Sequence, residues 1–252
     1  MMKNNLRLLT TLLLAASVSV AAAEHGAHTP PHWAYEGQAS PEHWGQLSPD
    51  FTLCAIGKNQ SPINIQGALK AQQSKLLLHF EQAQQNIVHN GHTVQIDVAP
   101  GNTLDLGQER FSLQQFHFHA PSENTIDGQQ FPLEGHFVYK NQEGGLAVVA
   151  LMFQEGQANP ELAKAWQHMP SQHHRAATLK RPVDIQALLP EQYAFYRFSG
   201  SLTTPPCSEG VVWLVLTQTA SASAAQIQQL RSALRHTNNR PLQPLNGRVI
   251  VN

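Results

Sequence analysis

The stretch FSLQQFHFHAPSENTIDG, residues 111–128, sets Phe116 and Phe118 in alternation with His117 and His119. Alternation with a period of two reads as a β-strand with two unlike faces. On a strand, residues i and i+2 share a face and lie roughly 6.5–7 Å apart. Both imidazoles therefore point the same way and can converge on one ion. LEGHF (133–137) then offers His136 on the next strand, after a loop of suitable length for an antiparallel neighbour. Three imidazoles on two adjacent strands can take three corners of a tetrahedron. The open fourth corner is what separates a catalytic zinc from a structural one. Glu134 lies two residues before His136, and Gln115 two before His117. Each shares its histidine's face and can accept the ring's other N–H. Glu123 lies too far along the chain to be an obvious ligand. An H-x-H pair alone is weak evidence, since most such pairs are surface or core histidines; the E-x-H at strand spacing strengthens it. His25, His28, His168, His173 and His174 read as solvated.

Strand signals continue on both sides of this stretch. SKLLLHF (74–80), NIVHN (86–90), HTVQIDV (92–98), TLDLG (103–107), LEGHFVYKN (133–141) and GLAVVALMFQ (145–154) are the candidates. Asn90-Gly91 and Gly144-Gly145 mark turns. The near-continuous apolar run of 145–154 predicts burial on both faces. Helices are few. Asn159 and Pro160 open one over 159–169 as cap and first turn. Ile227, Leu230 and Leu234 mark the clearest, over 223–237. VDIQALLP (183–190) suits a single turn. Residues 24–50 read as an irregular arm anchored by Trp33, Tyr35 and Trp44. The fold class is mostly β (α+β), in a single domain of residues 24–252.

The chain has 252 residues and only 13% charged ones, with 16 Gly and 16 Pro. That suits a loop-rich globule, not a disordered chain. Lys3 and Arg7, an apolar run from Leu8 to Val20, and Ala21–Ala23 have the layout of a secretory signal peptide, residues 1–23. The run is too short for a membrane span, which needs about 20 apolar residues. Removing it takes Lys3 and Arg7 from 16 basic residues set against 17 acidic ones. The remaining chain is mildly acidic, which argues against nucleic acid as a partner. The two cysteines, Cys54 and Cys207, read as a disulfide in an exported chain.

QSPINI (60–65), HNGH (89–92), QFHFHAPSENTIDG, LEGHFVYK, GLAVVALMF, SGSLTTPPCSEGVVW (199–213) and RPLQPLNGR (240–248) occur in this order. Together they resemble the α-class carbonic anhydrases, and the likeness runs from about His32 to Arg248. The Cys54–Cys207 pair also resembles the disulfide of exported members.

The resemblance implies one Zn(2+) per chain on His117, His119 and His136, with Gln115, Glu134 and a carbonyl near Asn238 orienting the three rings. It implies reversible hydration of carbon dioxide to bicarbonate and a proton, by attack of zinc-bound hydroxide. Thr203 would donate to Glu123 and orient the hydroxide, and Thr204 would contact bicarbonate. Val138, Val148, Leu202 and Trp213 would form the apolar wall for carbon dioxide. His92 would be the proton shuttle, with an ordinary histidine pKa near 6.5. Tyr35, Asn90 and Gln95 would line the polar side; the family often has asparagine where Gln95 stands. His89 replaces another commonly seen asparagine and receives no role. Ser61-Pro62 and Pro205-Pro206 match positions that are cis in the family.

The implied sheet is twisted and mainly antiparallel, of about ten strands, with short peripheral helices. Implied partners are carbon dioxide, bicarbonate, and sulfonamide and anion inhibitors, with no membrane partner after signal cleavage. The implied location is the periplasm or the medium. A homodimer would match exported bacterial relatives. The alternatives are a non-catalytic zinc-binding or interaction protein of the same fold, and a zinc esterase. Weak ester hydrolysis is expected as a side activity of the first reading.

Overall fold

The computed structural model describes residues 31–170 and 172–252; the signal segment 1–23 lies outside them. One sheet of 11 strands dominates. Its main path runs Arg175–Thr178, Gln85–His89, Val94–Val98, Glu109–His119, Leu133–Lys140, Leu146–Glu155, Glu209–Leu216, Phe195–Ser201. Thr103–Leu106 also pairs with Glu109–His119 and carries Leu76–His79, while Ala220–Ala222 pairs with Leu146–Glu155. Pairing is antiparallel except where Leu146–Glu155 meets Glu209–Leu216 and Ala220–Ala222 in parallel. A small second sheet joins Asn64–Ile65, Thr125–Ile126 and Gln129–Gln130.

The Leu146–Glu155 strand is buried without a break from Ala147 to Phe153. Two clusters flank it. Ala147, Val149 and Leu151 join the larger one, with Phe116, Phe118, Phe137, Trp166 and Leu230. Val148, Ala150 and Met152 join the smaller one, with Ile63, Phe198, Trp213 and Val215. Alternate side chains thus go to opposite faces, and both faces are covered. Each fully buried Phe or Leu stabilises by roughly 1.5–3 kcal/mol.

The helices close the side of the larger cluster. Ser223 and Gln226 form a capping box at the start of Ala224–Leu234. Ile227, Leu230 and Leu234 are its buried apolar stripe. Trp166, at the end of Pro160–Trp166, donates from Nε1 to Gln226 O at 2.9 Å and ties the two helices together.

Strands Arg175–Thr178, Phe195–Ser201, Glu209–Leu216 and Ala220–Ala222 have no counterpart among the predicted segments. VVWLVL in Glu209–Leu216 is apolar throughout, because it lies inside the sheet with a parallel neighbour. Sequence reading takes its first residues only as the end of the SGSLTTPPCSEGVVW motif, although the run has the same near-continuous apolar pattern as 145–154. The arm is not wholly irregular: Gly37–Ala39, Trp44–Leu47 and Pro49–Phe51 are single turns of helix. Trp44 is fully buried and donates to Ala34 O at 2.9 Å and Ala39 O at 3.0 Å. Trp33 and Tyr35 are only half-buried. Ser61-Pro62, Ala120-Pro121 and Pro205-Pro206 are cis. The disulfide Cys54–Cys207 is formed.

Candidate metal centre

Register brings the site together. Gln95 stands opposite His117, and His117 opposite His136. One step along the same face, Gln115 stands opposite Val138, Val138 opposite Val148, and Val148 opposite Trp213. One step the other way, His119 stands opposite Glu134. A cross-strand row of nitrogen donors therefore adjoins a row of apolar side chains.

One ligand atom from each of His117, His119 and His136 lies within 4.8 Å of the others. The second nitrogen of each ring has a neighbour. His117 Nδ1 lies 2.8 Å from Gln115 Oε1. His119 Nδ1 lies 2.6 Å from the Asn238 carbonyl. His136 Nε2 lies 2.9 Å from Glu134 Oε1, without the geometry of a full hydrogen bond. Glu134 is held from three more sides: Glu123 N at 2.7 Å, Asn124 N at 2.9 Å and Asn124 Nδ2 at 2.8 Å. That leaves His117 Nε2, His119 Nε2 and His136 Nδ1 facing one another.

Burial lowers the pKa of all three rings, and mutual repulsion among them lowers those of His117 and His136 further. At neutral pH they are uncharged and offer lone pairs, the form that binds metal. His119 Nε2 is buried with no hydrogen-bond partner, and so is Glu123 Oε2, 3.5 Å away. Buried polar atoms are rarely left unsatisfied. Neutral imidazoles with converging lone pairs and an acid beside them fit a divalent cation, so the triad can hold a metal ion.

Burial pushes the Glu123 carboxyl up to about 8, and the backbone N–H of Arg240 pulls the other way. That N–H donates to Glu123 Oε1 at 2.8 Å. The Thr203 hydroxyl also pulls the pKa down, but without the alignment of a full hydrogen bond. The Arg240 guanidinium, 2% exposed, donates to Gln60 Oε1, Ser61 O and Cys54 O and lies over the Trp44 ring. Sequence reading assigned Arg240 nothing, because its partners lie about 180 residues away. It stood there only as the first residue of the RPLQPLNGR motif.

A cavity of about 130 Å³ opens over His117 and His119, lined also by Gln115, Thr204, Gln95 and His92 among others. Tyr35 and Asn90 line it too. Asn90 Oδ1 accepts from the backbone of His92 and Thr93, fixing the turn at Gly91. Val138, Val148, Leu202 and Trp213 belong to the apolar cluster on this side of the sheet. The His92 ring is stacked on Trp33, with centroids 3.6 Å apart. Burial lowers its pKa to about 4, with His32, His236, His174 and His173 adding repulsion. The ordinary value expected from sequence is thus corrected downward. A larger groove of about 680 Å³, lined by residues such as Arg110, Lys140 and Glu143, lies away from the triad. Among the described residues, no helix is long and apolar enough to cross a membrane.

The family model for eukaryotic-type carbonic anhydrase matches residues 39–252. A carbonic anhydrase of Pectobacterium carotovorum is 64% identical over 220 residues, covering 87% of this chain and 90% of the relative. One from Pectobacterium atrosepticum is 60% identical over 240 residues, covering 95% and 96%. The α-carbonic anhydrase of Thermovibrio ammonificans, solved with the inhibitor sulfanilamide, superposes with a TM-score of 0.87 at 42% identity, covering 89% of this chain and all of that one. The chain belongs to the α-class, eukaryotic-type carbonic anhydrase family of enzymes.

Proposed function

We propose that the chain binds one zinc ion at His117, His119 and His136 and interconverts carbon dioxide and water with bicarbonate and a proton. The observation that carries this is the set of three facing ring nitrogens, each ring's second nitrogen lying beside Gln115, Asn238 or Glu134. When bound, zinc in a neutral three-histidine site acidifies a coordinated water toward neutrality, as is known for carbonic anhydrase itself.

The chain's own groups do the rest. Gln115, the Asn238 carbonyl and Glu134 hold the rings in one tautomer and orientation. Glu123 is 3.5 Å from His119 Nε2, so a cation in the triad favours its ionised form. An ionised Glu123 accepts from the Thr203 hydroxyl, whose oxygen is then left to accept a hydrogen bond from the nucleophile. Val138, Val148, Leu202 and Trp213 hold apolar carbon dioxide without a hydrogen bond, and Thr204 contacts bicarbonate. His92 carries the proton away from the cavity, with Tyr35, Asn90 and Gln95 lining its route. Sulfonamides and simple anions compete at the open position, and activated esters are hydrolysed slowly. The disulfide supports an oxidising compartment, hence export to the periplasm or medium after loss of residues 1–23.

Stopped-flow carbon dioxide hydration tests the reading, with metal content measured alongside. The zinc-loaded parent hydrates carbon dioxide and stalls with a sulfonamide, while His119→Ala, matched in circular dichroism, loses zinc and rate. A folded, zinc-loaded but inert parent would leave a binding protein of this fold.

A further inference from the structure

His92 lines two cavities at once. The inner one reaches His117 and His119 of the triad; the outer one, of about 300 Å³, is lined by four more histidines, His32, His173, His174 and His236. Trp33, Tyr35 and Asn90 are shared by both. We propose that the outer cavity is the exit half of the proton path, in which His236, assisted by His174, takes the proton from His92 and passes it to buffer. This rests on the hydration reaction proposed above.

Three features of the geometry carry it. Tyr35 neighbours both main rings, with its centroid 6.5 Å from His92 and 5.7 Å from His236. His236 Nδ1 lies 2.9 Å from the Thr237 carbonyl, so that nitrogen carries the hydrogen and Nε2 keeps a lone pair free to accept. The His174 ring lies over Gly91, the residue before His92; a β-carbon added there would come within 3.8 Å of its Nε2. Exposure grades outward, since His236 is half-buried while His32, His173 and His174 are exposed. Glu36 is the acid on the same wall.

In the step itself, an N–H bond of the His92 imidazolium breaks and an N–H bond forms at His236 Nε2. The His236 imidazolium then gives its proton to a buffer base at the rim. Nothing is oxidised or reduced.

The test is the full zinc-loaded chain against His174→Asn/His236→Asn. In dilute non-imidazole buffer, kcat should fall by about threefold or more, while kcat/KM stays at the parental value. Concentrated imidazole buffer should restore kcat. Independently, NMR titration should show the His92 ring midpoint moving up in the double variant, since two repelling rings are gone. An unchanged kcat in dilute buffer, a loss that imidazole does not repair, or an unmoved His92 midpoint each overturns the relay. An inert parent overturns both the relay and the hydration reading; an active parent with an unaffected double variant overturns the relay alone.

Discussion

Asn238 clasps the strand end on both sides of His119. Its Oδ1 accepts from Ala120 N at 2.9 Å, its Nδ2 donates to Phe118 O at 2.9 Å, and its carbonyl faces His119 Nδ1 at 2.6 Å. The side chain thereby fixes the backbone that aims the ring, and the ring is aimed by the same residue's main chain. Asn238→Ala removes two buried hydrogen bonds and should cost about 2–4 kcal/mol in urea unfolding. Zinc affinity, read by competition with a chelator, should fall about 10–100-fold. Parental affinity in a destabilised variant would separate the clasp from the metal site.

Val148 lies in register between Val138 and Trp213, and only 2% of it is exposed. Val148→Phe fills the apolar row next to the triad without touching a ring nitrogen. Overpacking should cost about 1–3 kcal/mol. Hydration should fall by about tenfold or more while zinc content is unchanged. Full activity in the loaded variant would remove the apolar row from the substrate's path.

Trp33 stacks on His92 and is part of what buries it. Trp33→Ala should raise the His92 midpoint from about 4 toward the free-histidine value of about 6.5. NMR titration of the ring reads this directly. A midpoint that stays put would assign the depression to the neighbouring histidines alone.

His89 is fully buried, with Nε2 facing Ala233 O at 3.1 Å and Nδ1 accepting from Gly91 N at 3.2 Å. Burial lowers its pKa below the ordinary value. The unfolded chain therefore takes up a proton at a pH where the folded chain does not. His89 thus weakens the fold as pH falls below about 6.5, and the loss grows until the folded pKa is reached. His89→Asn should flatten urea stability between about pH 7 and about pH 5 relative to the parent. An equal slope in both would place the acid sensitivity elsewhere.

Cys54 and Cys207 close a loop with a sequence separation of 153. Reduction should lower unfolding free energy by about 4–5 kcal/mol on the chain-entropy model. The loop holding Thr203 and Thr204 also holds Cys207, so hydration should drop before global unfolding. A single transition in both signals would show that the tether acts on stability alone.

Much of this was legible in the chain. The alternation of Phe116-His117-Phe118-His119 announced a strand with two rings on one face, because side-chain direction on a strand depends on nothing but residue parity. Asn159 and Pro160 announced a helix start, because capping is local, and the spacing of Ile227, Leu230 and Leu234 announced the other helix. Strands Phe195–Ser201 and Glu209–Leu216 were not announced. The first, FYRFSGS, mixes polar and apolar residues without a clear period of two, and the second reads only as the tail of a motif.

By itself the sequence determined which residues can share a face, which are capped and which bear chemistry, since those properties are set within a few residues of chain. The resemblance of its motifs extended that to the family. Only the tertiary structure decided that His117 stands opposite His136, that Val148 lies beside Trp213 across a parallel pair, and that Arg240 reaches Cys54, Ser61 and Glu123. It also decided that His92 is half-buried, stacked on Trp33, and shares a cavity with four other histidines. Register, burial and the repulsion between distant imidazoles arise from packing among segments far apart in the chain, and no local pattern encodes them.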